Sequence, residues 1–243
     1  MKFVCKTRVP FSQTGVSDGL SVIGAAQIIE DNVCAFFAAF GKDSVSLLKN
    51  YNSHWIFVKN RFEKRAPTVW NEEITVESYL TEKNAATVVV DTMVRNSENE
   101  IAVASRTEAC VLDLAAQRVR RVSSVDFPDI ETYKSEAGFG FTRFNAAAPE
   151  KAYSFTVPST SIDFGRHLNN VEYLRFVLNA ASVDKEIAFP VREAEINYLY
   201  QAREGDTLTL YSGEYCGAEF YEIKNGGQTV ARCAISRGVP KDG

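Results

Sequence analysis

The residues best suited to chemistry stand close together in one short segment of this 243-residue chain. Asp163, His167, Asn169 and Asn170 follow the spacing D-x-x-x-H-x-N-N, directly before an apolar run with helical periodicity. A carboxylate can accept a proton or attack a carbonyl carbon, and an imidazole nearby can donate a hydrogen bond or orient water. Backbone N–H groups at a helix start lack intrahelical partners and favour developing negative charge. The segment therefore combines a possible base or nucleophile and an imidazole with unpartnered backbone donors at residues 169–171.

Each of these residues also has a structural explanation. An Asp or Asn before a helix commonly caps it, and a single His at a helix start is usually a hydrogen-bonded structural residue. His54, beside Trp55, is predicted to be structural because nothing else near it suggests a site. The dense combination of polar groups around His167 favours chemistry at that segment instead.

The helix after this cluster belongs to one of two similar stretches of sequence. Residues 169–182 have helical spacing, and residues 20–40 form a second candidate helix that is apolar on nearly every face and stops at Gly41. A short strand is predicted before each helix, at 3–9 and 151–158, and a series of strands after it. The later strands are predicted at 54–65, 72–82, 84–96 and 101–114 in the first stretch, and at 191–201, 206–216, 219–225 and 228–236 in the second.

The repeated order predicts two copies of β-α-β-β-β-β and an α+β fold. In each copy, a curved antiparallel sheet would wrap around one long central helix. We expect an N-terminal domain at residues 1–121, a linker at 122–150 that contains Pro128 and Pro149, and a C-terminal domain at 151–243.

The two copies differ where the polar cluster stands. Aligning the segment that begins at Gln13 with the one that begins at Ser161 places Gly15 opposite Asp163 and Gly19 opposite His167. Only the second copy therefore carries an acid and an imidazole, which predicts one site per chain.

The sequence IDFGRHLNNVEY resembles the D-x-x-x-H-x-N-N-x-x-Y signature of hotdog thioesterases. With its tandem layout, nearly the whole chain resembles the acyl-acyl-carrier-protein (acyl-ACP) thioesterases of plants and bacteria. The resemblance implies two fused hotdog domains, places Asp163 and His167 in the catalytic network, and assigns the first copy to shaping the acyl pocket.

The same resemblance extends to residues outside the motif. SDGLSVIGAAQIIEDN resembles the N-terminal helix segment of the family, including its glutamine at Gln27, which would face either the substrate cleft or the end of the sheet. Asn169 and Asn170 are candidates for helix capping or substrate binding. Gln201 stands on a predicted strand where the family usually places a catalytic Glu, and Gly165 stands where plant members have Asn. An amide at Gln201 cannot act as a base, but it can hold water or a carboxylate in place.

Composition limits the partners and the location. A net charge of -4 gives no overall field to attract nucleic acid or an anionic membrane, and no apolar stretch approaches the length of a membrane span. A carrier protein with an acidic surface would need a local basic patch, for which the candidates are Arg118, Arg120 and Arg121. The N-terminal sequence does not resemble a signal peptide, and five scattered cysteines indicate reduced, buried thiols, so we expect a cytoplasmic protein.

The sequence leads to one principal function and two alternatives. The principal prediction is hydrolysis of fatty acyl-ACP to free fatty acid and carrier protein, with Asp163 as base or nucleophile and no cofactor or metal. A thioesterase acting on coenzyme A esters is the second possibility. The third is a weakly active or non-catalytic acyl-binding protein, suggested by Gln201 in place of Glu. Both a monomer and a homodimer are compatible with the sequence.

Overall fold

The computed structural model describes residues 1–145 and 148–238. The chain divides into two compact units, Met1–Gly140 and Phe141–Gly243. Two parts of the predicted domain plan, residues 146–147 of the linker and 239–243 of the C-terminal domain, lie outside the described residues.

The first unit combines a five-stranded antiparallel sheet with a long helix. Its sheet has the order β1-β3-β4-β5-β2, and a short further strand, β6, pairs with the free end of β5. The helix α1 contacts β1, β3, β4 and β5. The elements are β1 (Phe3–Arg8), α1 (Val22–Ala38), α2 (Ser44–Tyr51), β2 (Ser53–Lys64), β3 (Glu73–Lys83), β4 (Thr87–Arg95), β5 (Ile101–Asp113) and β6 (Arg118–Arg120).

The second unit repeats this arrangement on a smaller scale. Its sheet has the order β8-β11-β10-β9-β7, and each strand corresponds in sequence order to one strand of the first unit. The helix α3 contacts β11. The elements are β7 (Glu150–Thr156), α3 (Asn170–Leu178), α4 (Val183–Ala188), β8 (Val191–Tyr198), β9 (Thr207–Tyr215), β10 (Ala218–Asn225) and β11 (Gln228–Arg237).

The predicted order of one strand, one helix and a run of antiparallel strands is confirmed in both units. The structure adds the short helices α2 and α4 and the strand β6, none of which was predicted. The helix predicted for residues 169–182 is wrong in extent, because α3 ends at Leu178 and Ser182 caps the separate helix α4 by accepting the N–H of Lys185. The cysteine prediction is also partly wrong, since Cys5, Cys34 and Cys216 are exposed.

Helix α1 is enclosed on most of its faces, which accounts for its apolar sequence. Nine of its 17 residues are buried, and Phe37 stacks on Trp55 of β2 with 4.2 Å between ring centroids. The one buried polar side chain of α1 is Asn32. Its amide N–H donates to Ser78 Oγ on β3 at 2.7 Å, so this buried donor has a hydrogen-bond partner. Each fully buried large apolar side chain of α1, such as Phe36 or Phe37, contributes about 1.5–3 kcal/mol to folding.

The described part of the predicted linker packs against the two sheets. In the first unit, the N–H of Tyr133 donates to the C=O of Leu80 at 2.8 Å. In the second, the N–H of Thr142 donates to the buried Glu195 at 2.6 Å and that of Ala148 to Glu222 at 3.3 Å. The domain limits themselves stay a prediction.

The segments that precede α1 and α3 have the same backbone structure. An isolated bridge joins Thr14 to Leu20 in the first unit, and another joins Ile162 to Leu168 in the second. The next pair outward is also equivalent, since Ser21 donates its N–H to Gln13 and Asn169 donates its N–H to Ser161, both at 2.9 Å. The predicted alignment of Gly15 with Asp163 and of Gly19 with His167 is therefore confirmed.

Candidate active site

A tight turn after β7 brings Asp163 and His167 opposite each other. The N–H of Asp163 donates to the C=O of His167 at 2.9 Å, and the N–H of Arg166 donates to the C=O of Asp163 at 3.0 Å. Arg166 has a positive φ of 61°, which allows the chain to reverse within so few residues. The spacing of four residues between acid and imidazole thus places both at the base of one turn.

The two side chains are close, but they are not hydrogen-bonded to each other. His167 Nδ1 lies 3.9 Å from Asp163 Oδ1, and the backbone N–H of His167 lies 3.4 Å from the same carboxylate oxygen. The side chains retain 15% and 32% of their exposure for His167 and Asp163 respectively. The carboxylate is thus accessible to a reactant, and the imidazole is largely shielded beside it.

The environment of His167 favours its neutral form. Burial lowers the pKa of His167 from its ordinary value, and the positive charge of Arg203 lowers it further, while the nearby Asp163 carboxylate opposes the shift. Because an ordinary His is already mostly neutral at pH 7, a lowered pKa makes the neutral ring dominant there. A neutral imidazole has one N–H donor and one acceptor nitrogen.

Gly165, at the tip of the turn, leaves room for both functional groups. A Cβ atom at this position would lie 2.8 Å from His167 Nδ1 and Cε1 and 3.1 Å from Asp163 Oδ1. Any side chain here would therefore displace the ring. This gives a physical reason for Gly where plant members of the resembling family have Asn.

The start of α3 narrows the predicted set of oxyanion donors. Asn169 is the N-cap, as one of its two predicted roles required, and its side chain accepts the N–H of Val171 at 2.9 Å. The N–H of Asn169 donates to Ser161. Of the three donors predicted at residues 169–171, the one that these cap bonds do not use is the N–H of Asn170. Its C=O accepts from the hydroxyl of Tyr198 at 3.2 Å, which fixes the peptide at the helix start.

The prediction that Gln201 lies on a strand is wrong. Strand β8 ends at Tyr198, and Gln201 is exposed in the loop that follows. Its backbone neighbour nevertheless links this loop to the site, because the C=O of Ala202 accepts the N–H of Leu168 at 2.8 Å. The N–H groups of Leu199 and Tyr200 still donate to the C=O of Val230 on β11, whereas the backbone of Ala202 bonds to the turn and to a side chain of α3.

Tyr173, the last residue of the sequence motif, has no role predicted from the sequence. It is buried on α3, and its hydroxyl accepts the N–H of Ala202 at 3.0 Å and donates to the C=O of Tyr200 at 3.4 Å. The match of Tyr173 to the last position of the D-x-x-x-H-x-N-N-x-x-Y signature was the only signal in the sequence that linked it to Asp163 and His167.

The remaining candidate, Gln27, lies in the first unit. It is half-buried on α1 between the buried residues Ala26 and Ile28, and its role stays a prediction. His54 is buried on β2, opposite Leu112 of β5. Within residues 1–145 and 148–238, no group of three or more His, Cys, Asp or Glu side chains is arranged to hold a metal ion.

Comparison with known proteins connects this site to a family. Residues 145–236, which include the whole turn and α3, match the family model described as the acyl-ACP thioesterase C-terminal domain. A search of curated proteins gives no match.

Solved structures match over nearly the full chain. An acyl-ACP thioesterase from Bacteroides thetaiotaomicron has a TM-score of 0.87 at 14% identity, covering 98% of both chains. A 12:0-ACP thioesterase from Umbellularia californica has a TM-score of 0.81 at 14% identity, covering 99% of this chain and 98% of the other. A Lactobacillus plantarum structure described as an oleoyl thioesterase has a TM-score of 0.84 at 12% identity, with the same coverage.

At these low identities, the structural likeness establishes the fold, and it confirms the predicted α+β architecture of two fused hotdog domains. The family match supplies the rest. Residues 145–236, which include the Asp163–His167 turn, match the acyl-ACP thioesterase C-terminal domain, and this match identifies the protein as a thioester hydrolase.

Proposed function

We propose that the protein hydrolyses fatty acyl thioesters of acyl carrier protein, with Asp163 as general base or nucleophile. The observation that supports this most is the closed turn of Asp163 and His167, which lies at the start of α3 within the matched family domain. The carboxylate is partly exposed and has a neutral imidazole beside it. A carboxylate that acts as base or nucleophile must be partly exposed in this way, so that water or the thioester can reach it.

Two chemical routes fit this geometry. In the first, Asp163 takes a proton from water, the hydroxide adds to the thioester carbonyl carbon, and the C–S bond breaks as the tetrahedral oxyanion collapses. In the second, the carboxylate itself attacks, the C–S bond breaks to leave a mixed anhydride, and water then hydrolyses the anhydride. In both routes the thiolate leaves and takes up a proton, and the products are a free acid and a thiol.

The groups around Asp163 have separable roles in either route. The N–H of Asn170 is the donor that we assign to the developing oxyanion, because the helix cap uses its two neighbours. The neutral ring of His167 donates a hydrogen bond to the thioester oxygen or orients the attacking water. Gln201 lies on a loop attached to the same turn, where its amide can hold water or the carboxylate in place.

The carrier is the part of the proposal that rests on the family. The predicted basic patch is only partly available, because Arg120 donates to the C=O of Tyr51 at 3.0 Å and to Ser53 Oγ at 3.1 Å. Arg118 and Arg121 are exposed. These two arginines are therefore the ones that we expect to contact an acidic carrier.

The proposal is tested by measuring kcat/KM for an acyl-ACP and an acyl-coenzyme A of the same acyl chain length, over a series of chain lengths. We expect higher kcat/KM for acyl-ACP and a loss of turnover of both in Asp163→Ala. Preference for the coenzyme A ester would contradict the carrier assignment. Charge removal in Arg118→Gln with Arg121→Gln should raise KM for acyl-ACP while leaving the coenzyme A ester unaffected.

A second candidate, a weakly active acyl-binding protein, is favoured by one observation: an amide at position 201 cannot accept a proton as a carboxylate does. Gln201→Glu distinguishes the two. If the amide holds water or the Asp163 carboxylate by donating a hydrogen bond, the variant should turn over more slowly than the wild type, because an ionised carboxylate has no donor. Measurable acyl binding without turnover in the wild type, together with turnover gained in Gln201→Glu, would instead support the binding function.

A further inference from the structure

One buried hydroxyl holds the loop that carries Gln201. Tyr173 Oη accepts the N–H of Ala202 at 3.0 Å and donates to the C=O of Tyr200 at 3.4 Å. These two backbone groups lie on either side of Gln201. A single side chain of α3 therefore constrains both peptide groups that orient the Gln201 side chain.

The same loop is attached to the catalytic turn from its other side. The C=O of Ala202 accepts the N–H of Leu168, the residue after His167, at 2.8 Å. Ala202 is fully buried, so its N–H has no access to water and depends on Tyr173 for its partner. Loop, turn and helix start are thus joined through residues 200–202.

The chemistry of the phenol suits this dual contact. Tyr173 is 3% exposed, and burial raises its pKa to about 12, with the Asp163 and Asp206 carboxylates adding to the effect. The hydroxyl therefore stays protonated at neutral pH, and it keeps both the proton that it donates and the lone pair that accepts.

The first unit has no equivalent contact. The residue four positions after its N-cap, Ser21, is Ala25, whereas Tyr173 stands four positions after the N-cap Asn169. In that unit, the N–H of Leu20 is satisfied by the Thr68 hydroxyl at 3.0 Å rather than by a backbone carbonyl. The tyrosine contact is therefore found in the copy that carries the acid and the imidazole.

We propose that Tyr173 is a positioning residue for the thioesterase reaction, which acts by fixing the loop 200–202 so that the Gln201 amide faces the Asp163–His167 turn. This inference rests on the proposed function of Asp163. It assigns no chemical step to Tyr173 itself. Its effect should pass through Gln201, and that dependence can be measured.

The test is a double-mutant cycle with the full chain, using Tyr173→Phe, Gln201→Ala and the double variant. We expect each single change to lower kcat by about tenfold with KM within about twofold, and the double variant to be no slower than the slower single variant. Tyr153→Phe is the matched control, because it removes a tyrosine hydroxyl that donates to the C=O of Phe176 on the same helix. It should keep the wild-type kcat.

Three outcomes decide the matter. A double variant slowed by the product of the two single effects, about a hundredfold, would show independent actions and overturn the positioning role. An unchanged kcat in Tyr173→Phe would also overturn it. Absence of turnover in the wild type would contradict the proposed function rather than the positioning step alone. If Tyr173→Phe does not fold, a fluorinated tyrosine at position 173 keeps the shape and lowers the phenol pKa, and kcat should then fall as the hydroxyl ionises.

Discussion

The segments that precede α1 and α3 share one backbone structure and differ in what their turns can hold. Both have the same isolated bridge, the same outer backbone hydrogen bond and a side-chain N-cap. In the second unit, the turn carries Asp163 and His167. In the first, Gly15 and Gly19 stand at those positions. The two copies therefore share a backbone geometry but not the acid and the imidazole.

The reason lies in the loop after the next strand. A Cβ atom at Gly19 would lie 2.3 Å from the C=O oxygen of Thr68, closer than any real contact. In the second unit, the corresponding loop contacts the turn through the C=O of Ala202, which accepts the N–H of Leu168. The position equivalent to Gly19 holds the imidazole of His167 instead of a glycine. In the first unit, the backbone of Thr68 therefore occupies the space that a side chain at position 19 would need. Restoring chemistry there would require moving a backbone loop as well as changing two residues.

The largest effect should come from removing the imidazole. We expect His167→Ala to lower kcat/KM for an acyl thioester by roughly 100- to 1,000-fold, the range for losing a hydrogen-bond donor to the developing oxyanion. His54→Ala is the matched control, since His54 is buried on β2 of the other unit, and any rate loss there should follow the loss of stability. Measuring both kcat/KM and the thermal unfolding midpoint of each variant separates a loss of catalysis from a loss of stability. Turnover near the wild-type rate in His167→Ala would remove the imidazole from the mechanism.

The next effect tests whether the first unit is closed. Gly19→His should lower the free energy of unfolding by about 1–3 kcal/mol, because the backbone of Thr68 must move to admit the Cβ. Gly15→Asp should cost less, because its new Cβ would lie 3.0 Å from the Ser21 Cβ and could shift toward solvent. Denaturant titration measures both. Equal and negligible costs would show that steric closure does not explain the missing imidazole.

A smaller effect should come from crowding the active turn. Gly165→Ala places a methyl group 2.8 Å from the His167 ring, which can move because it is the end of a side chain. We expect kcat/KM to fall by about tenfold, equivalent to ~1.4 kcal/mol, with little change in stability. Gly227→Ala, on the exposed hairpin turn with no atom within 4 Å of the new Cβ, is the control. A rate unaffected by Gly165→Ala would mean that the observed ring position is not required.

The smallest effect compares the two helix caps. Ser21→Ala and Asn169→Ala each remove a side-chain acceptor from a helix N-terminus, and each should cost about 1 kcal/mol of stability. Only Asn169→Ala should also lower kcat. Loss of the Asn169 side chain frees the N–H of Val171, and the helix start then no longer holds the N–H of Asn170 in a fixed position for the oxyanion. Matched losses of kcat in both variants would contradict the assignment of a single site.

Much of this arrangement could be predicted from the sequence. The periodicity of residues 20–40 and the strands after them gave α1 and the order of each copy, because helical and strand burial patterns differ in period. The alignment of Gly15 and Gly19 with the motif was also predictable, since it depended on residue spacing alone.

Other features depend on contacts between distant segments. The end of α3 at Leu178 was missed because residues 179–182 have moderate helical propensity, and the cap of α4 by Ser182 competes with continuation. Gln201 was assigned to a strand because VREAEINYLYQ has strand composition throughout. The backbone N–H and C=O of Ala202 bond instead to the hydroxyl of Tyr173 and the N–H of Leu168. The closure of Gly19 by Thr68 joins residues 49 positions apart and leaves no local pattern.

The central claim is that the chain has one site, whose carboxylate is Asp163. The most direct measurement is kcat/KM for an acyl-ACP in the wild type, in Asp163→Asn and in Asp18→Asn, an exposed acid in the corresponding turn of the first unit. The account predicts a loss of roughly 100- to 10,000-fold in Asp163→Asn and a rate within about twofold of wild type in Asp18→Asn. Wild-type kcat/KM in Asp163→Asn, with the protein folded, would contradict it.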